Sequence, residues 1–202
     1  MDQTPERPLD EYLVLLSQAG STDALDGLAR RWTPRLLRYA ARVLGGSTES
    51  AEAARDVVQE TWVGAIRGLR GLRDPAQFPA WIYGIATRKC ADAIRTNMRR
   101  RRLDAHSVAG DASLREATVS VEHQIDVATG IRELPPKQRA AVHLFYGEDL
   151  TVEEIASALG IPTGTVKSRL HHAREALKRH LGVGRAVAPD PQESESRTRR
   201  TL

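Results

Sequence analysis

Thr165, Lys167, Ser168, Arg169, His171, His172 and Arg174 crowd into one short stretch near the C-terminal end of the chain. At about 100° per residue, Val166, Leu170, Ala173 and Leu177 form an apolar stripe there. Ser168, His171, His172 and Glu175 fall opposite, flanked by Thr165 and Lys167. Small polar groups early on a helix suit hydrogen bonding to base edges in a major groove, and Arg169, Arg174, Lys178 and Arg179 would bind phosphate. The neighbouring His171 and His172 predict no metal site, because consecutive helical residues diverge by about 100° and do not chelate together. An ordinary helical hairpin with a solvated basic face fits these residues equally well.

A second constellation lies upstream. Trp81, Arg88, Asp92, Arg95 and Arg99 share one helical side, opposite Tyr83, Ala86, Cys90, Ala93 and Ile94. An aromatic ring among guanidinium groups suits unpaired bases, which stack while the arginines hold the backbone. The alternative is a solvated arginine face with Trp81 tucked against the preceding loop. Cys90 reads as a small buried hydrophobe. Further upstream, Glu49, Glu52, Asp56 and Glu60 recur at helical spacing, with Val58, Trp62, Ala65, Ile66 and Leu69 as the apolar side. Gln59 and Trp62 sit where the two sides meet. A carboxylate stripe beside a nucleic-acid patch invites a protein partner of opposite charge. No catalytic residue is expected: the chain shows no catalytic carboxylate pair, Cys–His pair or phosphate loop. Neither a metal nor a cofactor is predicted.

The charge distribution supports two contacts with a polyanion. The net charge is +4, yet residues 88–102 alone carry seven positive charges and one negative. Residues 163–181 carry five positive and one negative. With patches of +6 and +4, the rest of the chain sums to −6, so it is acidic outside them. The single cysteine excludes an internal disulfide framework and multi-cysteine metal sites. No apolar run approaches the ~18 residues of a spanning helix, and the polar start is unlike a signal peptide. A cytoplasmic protein is expected.

The elements that must position these groups are all helical. Periodicity predicts helices over 9–19, from Ser21-Thr22-Asp23 to about Leu44, over 49–69, and from Ala80 into Arg99-Arg100-Arg101-Arg102. Pro34 lies inside the second and is a potential kink. Gly45-Gly46-Ser47 and the Gly and Pro residues of 68–79 are breaks. Residues 103–125 are acidic, with Asp104, Asp111, Glu116 and Glu122 against Arg115. They read as a flexible linker. A second helical block spans about 125–181, interrupted at Pro135-Pro136. Within it Thr151-Val152-Glu153-Glu154 forms a capping box, Gly160 ends a helix, Ile161-Pro162 turns, and Thr163 is predicted to cap the next helix. The fold class is therefore all-α, with two small helical domains at 1–102 and 126–183, an acidic linker at 103–125, and a disordered tail at 184–202.

Four segments in order resemble the extracytoplasmic-function (ECF) sigma factors, small members of the bacterial sigma-70 family. Asp56-Val57-Val58-Gln59-Glu60-Thr61-Trp62 resembles the helix that binds the clamp coiled coil of the polymerase β′ subunit. Phe78-Pro79-Ala80-Trp81-Ile82-Tyr83-Gly84-Ile85-Ala86 resembles the segment handling the minus-ten promoter element. Leu134-Pro135-Pro136-Lys137-Gln138-Arg139 resembles the opening of sigma domain 4. Ile155-Ala156, continued by Gly164-Thr165-Val166-Lys167-Ser168-Arg169-Leu170-His171-His172-Ala173-Arg174, resembles its helix-turn-helix signature. The chain departs from the family pattern at Arg88, where Asn is usual, and at His172, where Arg is common.

The resemblance implies sigma domains 2 and 4, and a transcription initiation factor without catalytic residues of its own. Asp56, Gln59, Glu60 and Trp62 would bind core RNA polymerase. Trp81, Arg88, Arg95 and Arg99 would hold the melted minus-ten element. Thr165, Lys167, Ser168, Arg169, His171, His172 and Arg174 would read the minus-thirty-five duplex. The implied partners are the β′ clamp helices and β flap of core polymerase, promoter DNA and an anti-sigma factor. The competing reading is a stand-alone helix-turn-helix regulator. It leaves the Asp56 to Trp62 helix unemployed and calls for a dimer interface that is not evident.

Overall fold

The computed structural model describes residues 6–107 and 127–182, and these are all-helical. Four helices form the first unit: α1 (Glu6–Gln18), α2 (Thr22–Leu44), α3 (Thr48–Gly68) and α4 (Phe78–Ser107). Ser21 caps α2, its hydroxyl accepting from the Ala24 amide. The helix runs through Pro34 to Gly45, whose φ of 118° closes it with amide bonds back to Ala41 and Arg42. L-residues with a Cβ rarely adopt that conformation, so glycine stands there for cause. Ser47 then caps α3. Two 3-10 turns, Leu69–Gly71 and Pro75–Gln77, carry the chain into α4.

An aromatic cluster fixes α2 against α4. Trp32 meets Phe78 and Tyr83 edge-on, with centroids 5.2 and 5.7 Å apart, and Tyr39 meets Tyr83 at 5.0 Å. Such edge-to-face pairs add about 0.5–1.5 kcal/mol each beyond burial. Cys90 is fully buried in this core, as its helical position predicts, and burial pushes its thiol up to about 12.

The second unit holds α5 (Val127–Glu133), α6 (Pro136–Val142), a π-helical turn (His143–Gly147), α7 (Val152–Leu159) and α8 (Thr163–His180). Two findings differ from expectation. α4 continues to Ser107, five residues into the stretch read as linker; the rest of that stretch, and the tail from 184, lie outside the described residues. The two units also share one hydrophobic core rather than sitting apart. α7 packs on α4, and α6 and the π turn pack on α2.

Candidate nucleic-acid and polymerase interfaces

The helix-turn-helix is built by local bonds. The Thr151 hydroxyl accepts from the Glu154 amide at 3.1 Å, and the Glu154 carboxylate accepts from the Thr151 amide at 2.8 Å. That reciprocal box fixes the start of α7. Gly160, at φ 61°, ends it, and the Ile161 amide returns to the Ala156 carbonyl. Thr163 does not cap α8 as its sequence position suggests. Pro162 takes the cap position, Thr163 is already helical, and no side-chain cap bond forms. The helix starts one residue early because the Pro162 carbonyl already accepts from the Thr165 and Val166 amides, which puts Thr163 inside the first turn.

On α8, Val166, Leu170 and Ala173 are buried. Lys167, Ser168, His171, His172 and Arg174 are exposed on the far side, with Thr165 and Arg169 half-buried. Ser168 Oγ lies 3.5 Å from His172 Nδ1, so the two form one polar edge. Lys178 is engaged by Glu175 at 2.9 Å, which holds the Glu175 carboxyl below its ordinary range. Among the described residues, no cluster of three His, Cys, Asp or Glu side chains is placed to hold a metal ion.

On α4, the Trp81 ring lies half-buried beside Phe78, its edge so close over Gly68 that a Cβ there would come within 3.1 Å. The end of α3 and the start of α4 thus seat the ring while leaving part of it accessible. Arg88, Arg95 and Arg99 are exposed, Arg95 pairing with Asp92. Trp81 and Arg88 face a cleft whose other wall is Ser157 and Ala158 of α7.

The acidic face of α3 is where helical spacing puts it: Glu52, Asp56, Gln59 and Glu60 are exposed. Glu60 pairs with Lys89 of α4 at 3.1 Å. A groove lined by Asp56, Glu60, Lys89 and Asp92 runs between the two helices. Trp62 is half-buried and donates from Nε1 to the Thr33 hydroxyl at 3.0 Å, which ties α3 to α2. Ile66, expected on the apolar side, is 57% exposed, because the core beneath α3 is already closed by Ala65 and Leu69.

Three features escaped sequence reasoning. Gly84 lies where α4 meets the Ala158 carbonyl, and a Cβ would stand 2.6 Å from that oxygen. A glycine inside a regular helical pattern was the available signal. The buried Tyr83 hydroxyl donates to Glu148 across the two units. Arg139 is buried and donates to the Arg132 carbonyl at 3.2 Å. Of these last two, the first spans 65 residues and the second returns to a carbonyl seven residues back, and helical spacing announces neither.

Residues 28–100 match the family model "Sigma-70 region 2" and residues 125–177 match "Sigma-70, region 4". The chain is 32% identical over 175 residues to the ECF RNA polymerase sigma factor SigW of Bacillus subtilis, covering 80% of this chain and 91% of that one. It is 33% identical over 176 residues to the ECF RNA polymerase sigma factor SigM of Mycobacterium tuberculosis, covering 86% and 85%. Among solved structures, CnrH in complex with the cytosolic domain of CnrY is similar at a TM-score of 0.61 and 26% identity, covering 87% of this chain and 99% of that one.

Proposed function

Because the chain belongs to the ECF sigma factors of the sigma-70 family, we propose a division of labour among its three exposed faces. The protein is a transcription initiation factor that binds core RNA polymerase and directs it to promoters. The open face of α8 reads the minus-thirty-five duplex: Thr165, Lys167, Ser168, His171 and His172 meet base edges, while Arg169 and Arg174 hold phosphate. Trp81, Arg88, Arg95 and Arg99 of α4 capture unpaired minus-ten bases by stacking and backbone contact. Asp56, Gln59 and Glu60 meet the basic clamp helices of the β′ subunit, and Trp62 holds their helix in place. The β flap and an anti-sigma factor complete the expected partners. Promoter melting draws on binding free energy, and synthesis belongs to the polymerase. The protein works in the cytoplasm, where polymerase and promoters are; among the described residues no helix is long and apolar enough to cross a membrane.

The carrying observation is the coexistence of an exposed polar-basic face on α8 and an exposed carboxylate face on α3. A stand-alone regulator has use for the first alone. The test is a mobility-shift titration on duplex promoter DNA at physiological salt, with and without core enzyme. The protein alone should bind weakly and with steep salt dependence, since phosphate contacts dominate, and core should convert this to specific binding. Specific nanomolar binding by the protein alone, unimproved by core, would overturn the reading.

A further inference from the structure

We infer that the cavity at the start of α3, between α4 and α6, binds a mononucleotide, with its phosphate on Arg139 and Arg100 and its N–H and O–H donors toward Glu52 and Asp56. The site is a property of the free chain and does not depend on the roles given to the promoter and polymerase faces.

A buried cation is left largely uncompensated where α2 ends and α3 begins. Arg139 is 8% exposed; its Nη1 donates to the Arg132 carbonyl at 3.2 Å, and its buried Nε meets no partner. No carboxylate among the described residues pairs with it. Burial pulls this guanidinium below its ordinary range, yet arginine keeps its proton in proteins. A carbonyl supplies only a partial charge, and a buried ion without a counter-ion is costly. The fold nevertheless makes room for it, since a Cβ at Gly45 would stand 3.4 Å from Nη1. Arg42 adds to the positive field: it and Arg139 both hold His143 down. The planar fork of a guanidinium matches an oxyanion such as phosphate.

The cavity beside Arg139 has room for more than an ion. Its volume is about 690 Å³, within the range of small-molecule sites. Arg139 forms part of its wall with Asn97 and Arg100 of α4, and with Ser47, Glu52 and Asp56 at the start of α3. Lys89 meets Glu60, and Thr96 shares a groove with Ala53, so α4 runs antiparallel to α3 and brings Arg100 beside Ser47. Ser47 caps a 21-residue helix, whose dipole puts positive partial charge at this same end. Glu52 and Asp56 follow roughly 7–14 Å further along the axis, at 1.5 Å per residue. One end of the cavity is therefore cationic and the other anionic. A bare anion has use for the first end alone. A mononucleotide uses both, because ribose hydroxyls and base amino groups donate to carboxylates while the phosphate accepts from the guanidinium groups.

The full chain is titrated calorimetrically with AMP, GMP, CMP and UMP, with inorganic phosphate, and with the nucleoside of whichever nucleotide binds best. At least one nucleotide should bind more tightly than ~1 mM and about tenfold more tightly than phosphate, and its nucleoside should not bind in that range. Arg100→Glu, at an exposed position, should weaken that nucleotide about tenfold, as the loss of a charge-assisted contact implies. Arg139→Gln should do the same, with helicity followed by circular dichroism; if it loses helicity, Arg100→Glu alone decides. Glu52→Ala/Asp56→Ala should bring the ratio of nucleotide to phosphate affinity down to about one. Lys167→Ala/Arg174→Ala, on the exposed basic face of α8, should bind as wild type does. Binding that ignores Arg100→Glu, or that is lost in the α8 variant, belongs to a general basic surface and overturns the proposal. Phosphate bound as tightly as every nucleotide, an unchanged affinity ratio in Glu52→Ala/Asp56→Ala, or no binding of any probe overturns it equally.

Discussion

Reversing the charge of Glu60 separates a docking role for the α3 face from a structural one. In the free protein its carboxylate lies 3.1 Å from Lys89 Nζ, with the two side chains 59% and 35% exposed. In water-like dielectric such a pair has a Coulomb energy of about 1 kcal/mol, and ordering two long side chains reduces it to ~0.2–1 kcal/mol. Glu60→Lys removes that attraction and sets two ammonium groups together, for a total loss of about 1 kcal/mol. In a chain of this size that lowers Tm by about 2–4 °C. At the polymerase the same change replaces attraction to a basic surface by repulsion, and disrupting one desolvated charge pair costs about 2–5 kcal/mol. Affinity for core enzyme should fall at least tenfold, which corresponds to about 1.4 kcal/mol. The charge-swapped double variant Glu60→Lys/Lys89→Glu supplies the control, because it restores the internal pair without restoring the acidic position. It should regain Tm and remain defective in a core titration followed by fluorescence. Recovery of core affinity together with Tm would refute direct docking by Glu60, as would unchanged affinity in the single variant.

Transplanting residues at Thr165, Lys167, Ser168, His171 and His172 from another ECF factor should move transcription to that factor's minus-thirty-five sequence. Each good base contact is worth about 1–3 kcal/mol of discrimination, and start sites that stay put would place base readout elsewhere. Arg88→Ala should weaken open-complex formation at all promoters, whereas Arg88→Asn, which supplies an acceptor that arginine lacks, should alter minus-ten base preference; permanganate footprinting reads both. His143 is held down to about 4 by burial and by Arg42 and Arg139. The unfolded chain thus takes up a proton near pH 6.5 that the folded chain refuses until about pH 4, so stability falls as pH falls through that window. Allowing for the screening of a partly exposed ring, the loss is about 2 kcal/mol. Urea titrations across pH 4–7 should show His143→Gln losing less stability on acidification than wild type, and parallel curves would refute the assignment.

Helix identity was legible wherever a local rule governed it. Ser21, Gly45, Ser47, Thr151 and Gly160 all punctuate the chain as their types predict. The buried stripes of α4 and α8 follow from spacing alone, and so do the exposed faces carrying Arg88 and Lys167. Periodicity reports which way a residue points and not what waits there, which is why Ile66 was placed inside and lies outside. The π-helical turn at His143–Gly147 escaped for a related reason: its register is set by packing of Leu144 in the core and by the Leu150 amide reaching back to the Leu144 carbonyl. The association of the two units depends on partners more than sixty residues apart in sequence, such as Tyr83 and Glu148. Local pattern is silent at that range.

The lone thiol of Cys90 has a practical consequence for spectroscopy. It is fully buried, and its acidity is so weakened that almost no thiolate exists near neutral pH. Maleimides and iodoacetamides react with exposed thiolate, so the native side chain resists them while the fold holds. Cysteines introduced at exposed positions can therefore carry donor and acceptor dyes without first deleting the natural one. The same probe chemistry reports integrity, since label entering at Cys90 counts molecules whose core has come apart.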